Sequence, residues 1–323
     1  MGMPKFHRAE AKSWAQETIR DLYMCPLTPM TARLELDPAA MAENIDAYVN
    51  IGLNGLVVGG FIAECWNLKL SDWMRYHEIV ATANAGRLDL WTIILDPSVH
   101  QALEKMAFVE KLGFNGAEVI NPVVQLRTDD EIYNWFDYLC ARSDLAICLY
   151  RTPVSGKVLG AELMARLADL ETVVAVKQGN MNRAESLKMR RELRKDFIVS
   201  DPFEYFYLDD LRDGGQVLWG ELSYILYGKK RHLMKDYIAL ARAGQWEAAR
   251  AKWAALAPVR QYYEDLFIWD IARTATYASA LAAMKTWYEA IGLKAGHILP
   301  PVQNVSPQRA QEITARLIEL GVA

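Results

Sequence analysis

The stretch TVVAVK at residues 172–177 is an apolar run that ends on Lys177. A second apolar run, LAICLY at residues 145–150, ends on Tyr150. Short β-branched runs of this kind predict buried strands of a parallel sheet. A lysine that ends a buried strand is either a desolvated amine of lowered pKa, able to attack a carbonyl, or a misplaced charge.

The same kind of run recurs along the chain and alternates with amphipathic stretches. We predict eight strands, at residues 22–27, 55–59, 90–95, 117–120, 146–150, 173–177, 197–200 and 216–219. The helical patterns between them cover residues 41–51, 70–83, 101–112, 130–140, 161–170 and 183–194. Eight strand–helix units predict an α/β fold, an eight-stranded parallel (β/α)8 TIM barrel. The alternative is an open doubly wound sheet, but CPLTP at residues 25–29 replaces the glycine-rich turn expected there.

After Trp219 the pattern changes to helices alone, at residues 230–243, 246–265, 275–291 and 307–320. No stretch rich in proline, glycine and serine separates these helices from the barrel, so a flexible linker is not expected. We therefore predict an N-terminal helix in residues 1–20, a barrel in residues 21–229, and a C-terminal helical appendage in residues 230–323 packed on the barrel.

Composition narrows the class of function. Hydrophobic residues make up 52% of the 323 residues and charged residues 24%, which is a globular balance. The net charge of -4 gives no footprint for nucleic acid, and residues 1–20 hold no uninterrupted apolar segment for a membrane anchor. Four cysteines without a CxxC pair indicate a reducing compartment, and we predict a cytoplasmic protein with a small-molecule partner. The five histidines lack metal-ligand spacing, so a catalytic metal is not expected.

Candidate site residues follow the predicted strands where each strand ends. The loop GFIAE at residues 60–64 follows strand two, Asn121 follows strand four, and Ser200 ends strand seven. Tyr150 and Lys177 end strands five and six. Because the carboxyl ends of barrel strands meet on one face, we expect these residues to surround one site.

These stretches resemble the dihydrodipicolinate synthase and N-acetylneuraminate lyase family, the Schiff-base class I aldolases, over nearly the whole chain. The matching segments are LTP at 27–29, GLNGL at 52–56, GFNGA at 113–117, Tyr150 with Pro153, and VAVK at 174–177. The resemblance implies that Lys177 forms an imine with a substrate carbonyl and that Tyr150 relays protons. It also implies that no cofactor is needed, because the protonated imine is the electron sink, and that the protein is a homo-oligomer, a dimer or tetramer.

The chain departs from the family pattern at the mouth of the barrel. Many members carry two hydroxyl residues in the loop after strand two, where this chain has Phe61 and Ile62. Backbone N–H groups of Phe61, Ile62 and Ala63 would then hold a substrate carboxylate. Val123 and Val124 replace the tyrosine pair of the synthases, and we expect them to line the substrate. These replacements predict an apolar or aryl portion of the substrate, unless the side chains only pack against helices.

The loop GFIAEC at residues 60–65 further resembles the hydratase-aldolase branch of the family. We therefore predict a lyase that cleaves an aryl or apolar-substituted substrate to an aldehyde and pyruvate. Two alternatives stay open: a sugar-acid dehydratase or aldolase that uses the same imine, and a catalytically silent homologue that binds a metabolite.

The remaining candidates each have a structural alternative. Thr152 would bind a substrate hydroxyl or water, or cap the following turn. Asn121 and Ser200 would position water, or satisfy loop amides. Arg151 would bind a carboxylate, although strand alternation directs it away from Tyr150's side. Glu64 is expected to support its loop more often than to act as a base.

Overall fold

A computed structural model describes residues 4–122, 126–274 and 276–323. The eight predicted strands form one parallel sheet with the order β7-β6-β5-β4-β3-β2-β1-β8. The strands are β1 (Asp21–Met24), β2 (Gly55–Val58), β3 (Asp89–Ile94), β4 (Gly116–Ile120), β5 (Ala146–Arg151), β6 (Val173–Gln178), β7 (Ile198–Ser200) and β8 (Val217–Glu221).

The sheet curves into a nearly closed barrel because its last strand pairs with its first. β8 pairs with β1 over Asp21 to Met24, and the hydroxyl of Ser200 on β7 donates to the carbonyl of Val217 on β8 at 2.9 Å. The prediction of a (β/α)8 barrel is therefore confirmed, and the open doubly wound sheet is excluded. β1 ends at Met24 rather than at residue 27, since Pro26 has no N–H to donate to a neighbouring strand.

Helices alternate with the strands along the chain. The helix α1 (Ala11–Thr18) precedes β1, and one helix follows each of the first seven strands in sequence. These are α2 (Pro38–Ile51), α3 (Leu70–Asn84), α4 (Val99–Lys111), α5 (Asp129–Cys140), α6 (Ala161–Asp169), α7 (Arg183–Glu192) and α8 (Glu204–Arg212). Side-chain caps explain several starts: Ser98 accepts from Gln101 N–H before α4, and Thr128 forms a capping box with Glu131 at α5. In the part of the chain that the structure describes, no helix is both long and apolar enough to cross a bilayer.

The chain divides into two compact units. The first unit comprises Met1–Met24, Asn54–Gly60 and Gly86–Glu221 and contains all eight strands. Inside it, Trp219 stacks on Tyr23 at 5.0 Å between ring centroids and meets Trp91 edge-on at 4.8 Å. Asp89 accepts hydrogen bonds from Tyr23, Trp91 and the Asn115 amide. The aromatic rings and this carboxylate are buried together inside the first unit, with Asp89 at the amino end of β3.

The helix α1 belongs to the first unit and is held to it by a lysine. The amine of Lys12 donates to the carbonyls of Ala168, Leu170 and Val173 at 2.6–2.8 Å. Burial lowers the pKa of Lys12 to about 8. These contacts tie the N-terminal helix to the end of α6 and the start of β6.

The second unit comprises Cys25–Leu53, Phe61–Ala85 and Leu222–Ala323. Besides α2 and α3 it contains the C-terminal helices α9 (Ser223–Leu226), α10 (Arg231–Arg242), α11 (Trp246–Ala255), α12 (Ala257–Tyr263), α13 (Trp269–Thr274), α14 (Ala278–Ala290) and α15 (Pro307–Glu319). The prediction of one helix over residues 246–265 is wrong, because Pro258 lies in the first turn of α12 and starts a new helix there. The predicted division into residues 1–20, 21–229 and 230–323 stays a prediction.

Candidate active site

Lys177 and Tyr150 lie side by side near the carboxyl ends of neighbouring strands. They are register partners in the pairing of β5 with β6, and each is the last but one residue of its strand. The amine of Lys177 lies 4.4 Å from the centroid of the Tyr150 ring. Both side chains are buried, with 7% and 6% exposure. The predicted meeting of these two residues is what the structure shows, and their catalytic roles remain to be tested.

A carboxylate that the sequence analysis did not select faces the amine. Glu118, in the middle of β4, places Oε1 3.4 Å from Lys177 Nζ. Its other oxygen, Oε2, accepts a hydrogen bond from the indole N–H of Trp219 at 2.7 Å. The amine of Lys177 also donates to the carbonyl of Gly220 at 2.9 Å. The lysine is therefore not an isolated desolvated amine but half of a buried ion pair.

Burial and neighbouring charges act in opposite directions on Glu118. The side chain is fully buried, and burial raises the pKa of the Glu118 carboxyl above its usual value. The Lys177 ammonium and the Trp219 N–H favour the carboxylate and limit that rise. A buried carboxylate is retained at such a position only when it is paired.

Gly220 leaves the space that the ion pair occupies. It is the last but one residue of β8 and has a φ of +66°, in the left-handed region that favours glycine. A Cβ at this position would lie 2.9 Å from Lys177 Nζ and 3.2 Å from Glu118 Oε2. The approach of the amine to the Gly220 carbonyl thus depends on the missing side chain.

One signal in the sequence could have found Glu118. It interrupts the apolar run GAEVI at residues 116–120, and an acidic residue in a buried strand is as unusual as the lysine that ends TVVAVK. Trp219 and Gly220 carry no comparable signal, because a tryptophan and a glycine are ordinary residues at the end of a strand.

Other predicted residues of the first unit make structural contacts. Thr152 accepts from Val154 N–H at 3.3 Å and so caps the turn that follows β5. Ser200 uses its hydroxyl hydrogen to join β7 to β8. Asn121 is buried and donates to the carbonyl of Lys157 at 3.4 Å, while its Oδ1 has no hydrogen-bond partner among the described residues. Their contacts with substrate stay predictions.

Arg151 is fixed in a network of its own. Its Nε donates to the carbonyl of Leu159 at 2.6 Å, and its Nη1 donates to Gln178 Oε1 at 2.8 Å and to the Glu185 carboxylate. The guanidinium is therefore engaged by structural acceptors, in line with the expected alternation along β5.

The loop after β2 begins with the buried Gly60 and continues, in the second unit, as a 3-10 turn over Phe61–Ala63. Within that unit, Phe61 stacks on Tyr277 with 5.1 Å between ring centroids, and Ile62 and Ala63 are buried.

Glu64 holds this loop in place. Its Oε2 accepts from Leu299 N–H at 2.7 Å, and its Oε1 pairs with Lys285 Nζ at 2.7 Å. The contacts of Glu64 are therefore those of a residue that supports its loop, as expected. Val123 and Val124, which were expected to line the substrate, lie outside the described residues.

No group of three or more histidine, cysteine, aspartate or glutamate side chains within residues 4–122, 126–274 and 276–323 is arranged to hold a metal ion.

Comparison with known proteins gives one family. Residues 18–320 match the model of the dihydrodipicolinate synthetase family. A 4-hydroxy-tetrahydrodipicolinate synthase of Synechococcus sp. (strain JA-2-3B'a(2-13)) is 27% identical over 297 residues, covering 92% of each chain. A 4-hydroxy-tetrahydrodipicolinate synthase of Moorella thermoacetica is 25% identical over 300 residues, covering 92% of this chain and 96% of the relative.

Solved structures share the fold. A dihydrodipicolinate synthase from Thermotoga maritima superposes with a TM-score of 0.81 at 21% identity, covering 95% of this chain and 100% of that one. A catalytic lysine mutant of a sialic acid aldolase from Ruminococcus gnavus superposes with a TM-score of 0.78 at 14% identity, covering 94% and 97%. At these identities the likeness concerns the fold alone.

Proposed function

Because the chain belongs to the dihydrodipicolinate synthetase family, whose members are carbon–carbon lyases and synthases that form a Schiff base on a lysine, we propose that Lys177 is its imine-forming residue. The observation that carries this proposal is the buried amine of Lys177 beside the ring of Tyr150, near the carboxyl ends of the barrel strands.

In the proposed reaction the amine of Lys177 attacks the ketone carbon of a 2-oxo acid. The resulting carbinolamine loses water and becomes a protonated imine. In an unsaturated substrate, water then adds to the conjugated double bond and supplies a hydroxyl group on the β carbon, and the imine draws electrons from the bond between the α and β carbons. When that bond breaks, the hydroxyl-bearing fragment loses its O–H proton and leaves as an aldehyde. The enamine that remains takes up a proton on carbon, and hydrolysis of the imine releases pyruvate. Tyr150 moves protons to and from the oxygen atoms in these steps.

The substrate class that we favour is an unsaturated 2-oxo acid with an aryl or apolar substituent. A hydratase-aldolase would add water across its carbon–carbon double bond and then cleave the hydroxyl-bearing product. The sequence supports this class, since the loop GFIAE at residues 60–64 carries no hydroxyl side chain. The synthases that this chain resembles carry an arginine after the Tyr-x-x-Pro motif, where it holds the carboxylate of a second substrate. In this chain Val154, Ser155 and Gly156 follow Pro153, so that arginine is missing. A sugar-acid dehydratase or aldolase is the second candidate, and the buried Asn121 oxygen without a described partner favours it, since it could accept from a sugar hydroxyl.

Reductive trapping tests the imine. The protein is incubated with pyruvate and sodium borohydride, and its peptides are mapped by mass spectrometry. We expect the mass of one reduced pyruvate on the peptide that contains Lys177 and none in the Lys177→Ala variant. The peptide of Lys285, a second buried lysine, is the internal control because its amine is paired with Glu64 and bound to carbonyls. Label on Lys285 instead, or no label with any 2-oxo acid, would overturn the assignment of Lys177.

A panel of three aldehydes tests the substrate class in the condensation direction. Pyruvate is supplied with an aryl aldehyde, a polyhydroxy aldehyde or an aldehyde that bears a carboxylate, and kcat/KM is measured for each. We expect the aryl aldehyde to react with the highest kcat/KM. Preference for the polyhydroxy aldehyde would establish the sugar-acid reaction instead, and preference for the carboxylate-bearing aldehyde would contradict an apolar site.

The proposal includes a homo-oligomer, a dimer or tetramer, in keeping with the family resemblance. Trp246 and Trp269 on the C-terminal helices are 37% and 54% exposed and offer apolar surface for such contacts. Sedimentation velocity at micromolar concentration tests this expectation, and a monomer would contradict it. The cytoplasmic location stays a prediction.

A further inference from the structure

Glu118 is held so that one oxygen faces the lysine. Trp219 donates to Oε2 at 2.7 Å, and Oε1 lies 3.4 Å from Lys177 Nζ. The groups that face this pair come from two strands: the Tyr150 ring and the Cys148 thiol on β5, which lies between β4 and β6, and the Gly220 carbonyl on β8. Burial raises the pKa of Cys148 well above its usual value, so the thiol brings no charge. Glu221, the buried last residue of β8, is the next carboxylate along that strand.

We propose that Glu118 is the counterion of Lys177 in two states, the ammonium of the resting enzyme and the protonated imine that forms with substrate. The inference rests on the proposed function, because it concerns the nitrogen that becomes the imine. An ammonium and a ketone give a protonated imine and one water, so the nitrogen carries one positive charge before and after. Glu118 therefore stays ionised, and the site needs no net uptake or release of a proton.

The physical reason is the cost of a lone charge inside the barrel. A protonated nitrogen buried without a counterion would lose its proton near neutral pH, and an unprotonated imine is a poor electron sink. An opposite charge within about 4–6 Å shifts such a protonation by about 1–3 pH units. With Glu118 in place, the imine keeps its proton at higher pH. The same carboxylate also raises the pH at which the Lys177 ammonium loses its proton to become the free amine. The pair thus sets the pH range in which the enzyme works.

The first measurement follows the deprotonation of the Lys177 ammonium in the absence of substrate. Cyanate carbamylates uncharged amines, so the rate of carbamylation of Lys177 against pH, followed by peptide mass mapping, gives the midpoint of its deprotonation. In Glu118→Gln, which keeps an oxygen for Trp219, we expect this midpoint to move about 1–3 units lower. The control is Glu221→Gln, a matched removal of a neighbouring buried carboxylate, for which we expect a smaller shift.

The second measurement follows the loss of the proton from the imine. The alkaline limb of kcat should also move to lower pH in Glu118→Gln, since the imine loses its proton sooner. Glu118→Asp keeps the charge but moves it away from Lys177. It should shift the carbamylation midpoint and the alkaline limb of kcat in the same direction by less, and it replaces Glu118→Gln if the glutamine variant does not fold.

Unmoved midpoints in folded Glu118 variants that still trap pyruvate would overturn the inference while leaving the proposed function intact. A larger shift in Glu221→Gln would also overturn it, by assigning the counterion to Glu221. If cyanate reactivity shifts as expected but the wild type traps no 2-oxo acid, the proposed function fails, and Glu118 is supported as partner of the amine alone.

Discussion

Replacing Gly220 with alanine tests the packing of the ion pair directly. Two costs add at this position. Alanine at a φ of +66° loses about 1–2 kcal/mol because its Cβ crowds the backbone in the left-handed region. The same Cβ would stand 2.9 Å from Lys177 Nζ and 3.2 Å from Glu118 Oε2, and relieving such overpacking costs a further ~1–3 kcal/mol. We therefore expect Gly220→Ala to lower the free energy of unfolding by about 2–5 kcal/mol.

A matched glycine separates the two costs. Gly113 has a φ of +87°, and a Cβ there would meet nothing within 4 Å. Gly113→Ala should therefore lose only the backbone share, about 1–2 kcal/mol. Urea unfolding of both variants gives the difference, which is the cost of crowding the ion pair.

Borohydride trapping completes the experiment on Gly220. We expect Gly220→Ala to form the pyruvate adduct more slowly, because the amine must move away from its carbonyl acceptor and from Glu118, whereas Gly113→Ala should trap at the wild-type rate. Equal losses of stability in the two variants, together with equal trapping, would refute the close packing of Gly220 against the amine.

Three further predictions concern single residues. Tyr150→Phe keeps the ring beside Lys177 but removes the hydroxyl, so kcat should fall by about 10²–10⁴-fold, and an unchanged kcat would exclude proton relay by this phenol. Arg151→Lys loses the forked contacts to the Leu159 carbonyl and to Gln178. Urea unfolding should therefore show a free energy of unfolding lower by about 1–3 kcal/mol, while the variant still traps pyruvate. Loss of trapping at unchanged stability would instead assign Arg151 to the substrate site. Burial and the neighbouring Asp210 raise the pKa of Asp201 from 3.8 to about 7. Between pH 3.8 and about 7 the folded state therefore holds a proton that the unfolded state has released. The free energy of unfolding should fall as the pH rises through this range. Asp201→Asn should flatten this fall, compared by urea midpoints at about pH 5 and 8, and an unaltered slope would contradict the raised pKa.

The fold and the central pair of residues were predictable because they depend on local patterns. Each strand of the barrel is a short apolar run, and consecutive runs separated by a helix pair in parallel. Once β5 and β6 are neighbours, residues at equal distances from the ends of TVVAVK and LAICLY become register partners, as Lys177 and Tyr150 are. Strand order places these two side chains on neighbouring strands, and their direct pairing also depends on a register shift between Ile147 and Cys148.

The ion pair was not predictable in the same way, because it joins two strands that are not adjacent in the sheet. Glu118 lies on β4, which pairs with β3 and β5 and not with the β6 strand of Lys177. The two side chains reach each other past β5, which separates the two strands, and their charged atoms lie 3.4 Å apart. Thr152 and Ser200 show a related limit, since a hydroxyl can serve a substrate or a nearby backbone group, and the sequence does not say which group lies within reach.

Two carboxylates inside the same barrel have different consequences for function. Asp89 begins β3, at the amino end of the strands, and its oxygens accept from Tyr23, Trp91 and Asn115. That end of a barrel contributes stability, and a carboxylate with three donors is well satisfied there. Glu118 lies farther along its strand and faces a lysine near the end where barrel chemistry takes place. A buried ion pair is often no more stabilising than apolar residues of the same size, so packing alone does not account for a glutamate and a lysine at this depth. The proposed role of Glu118, as counterion of a nitrogen that is charged as the ammonium and again as the protonated imine, would account for both.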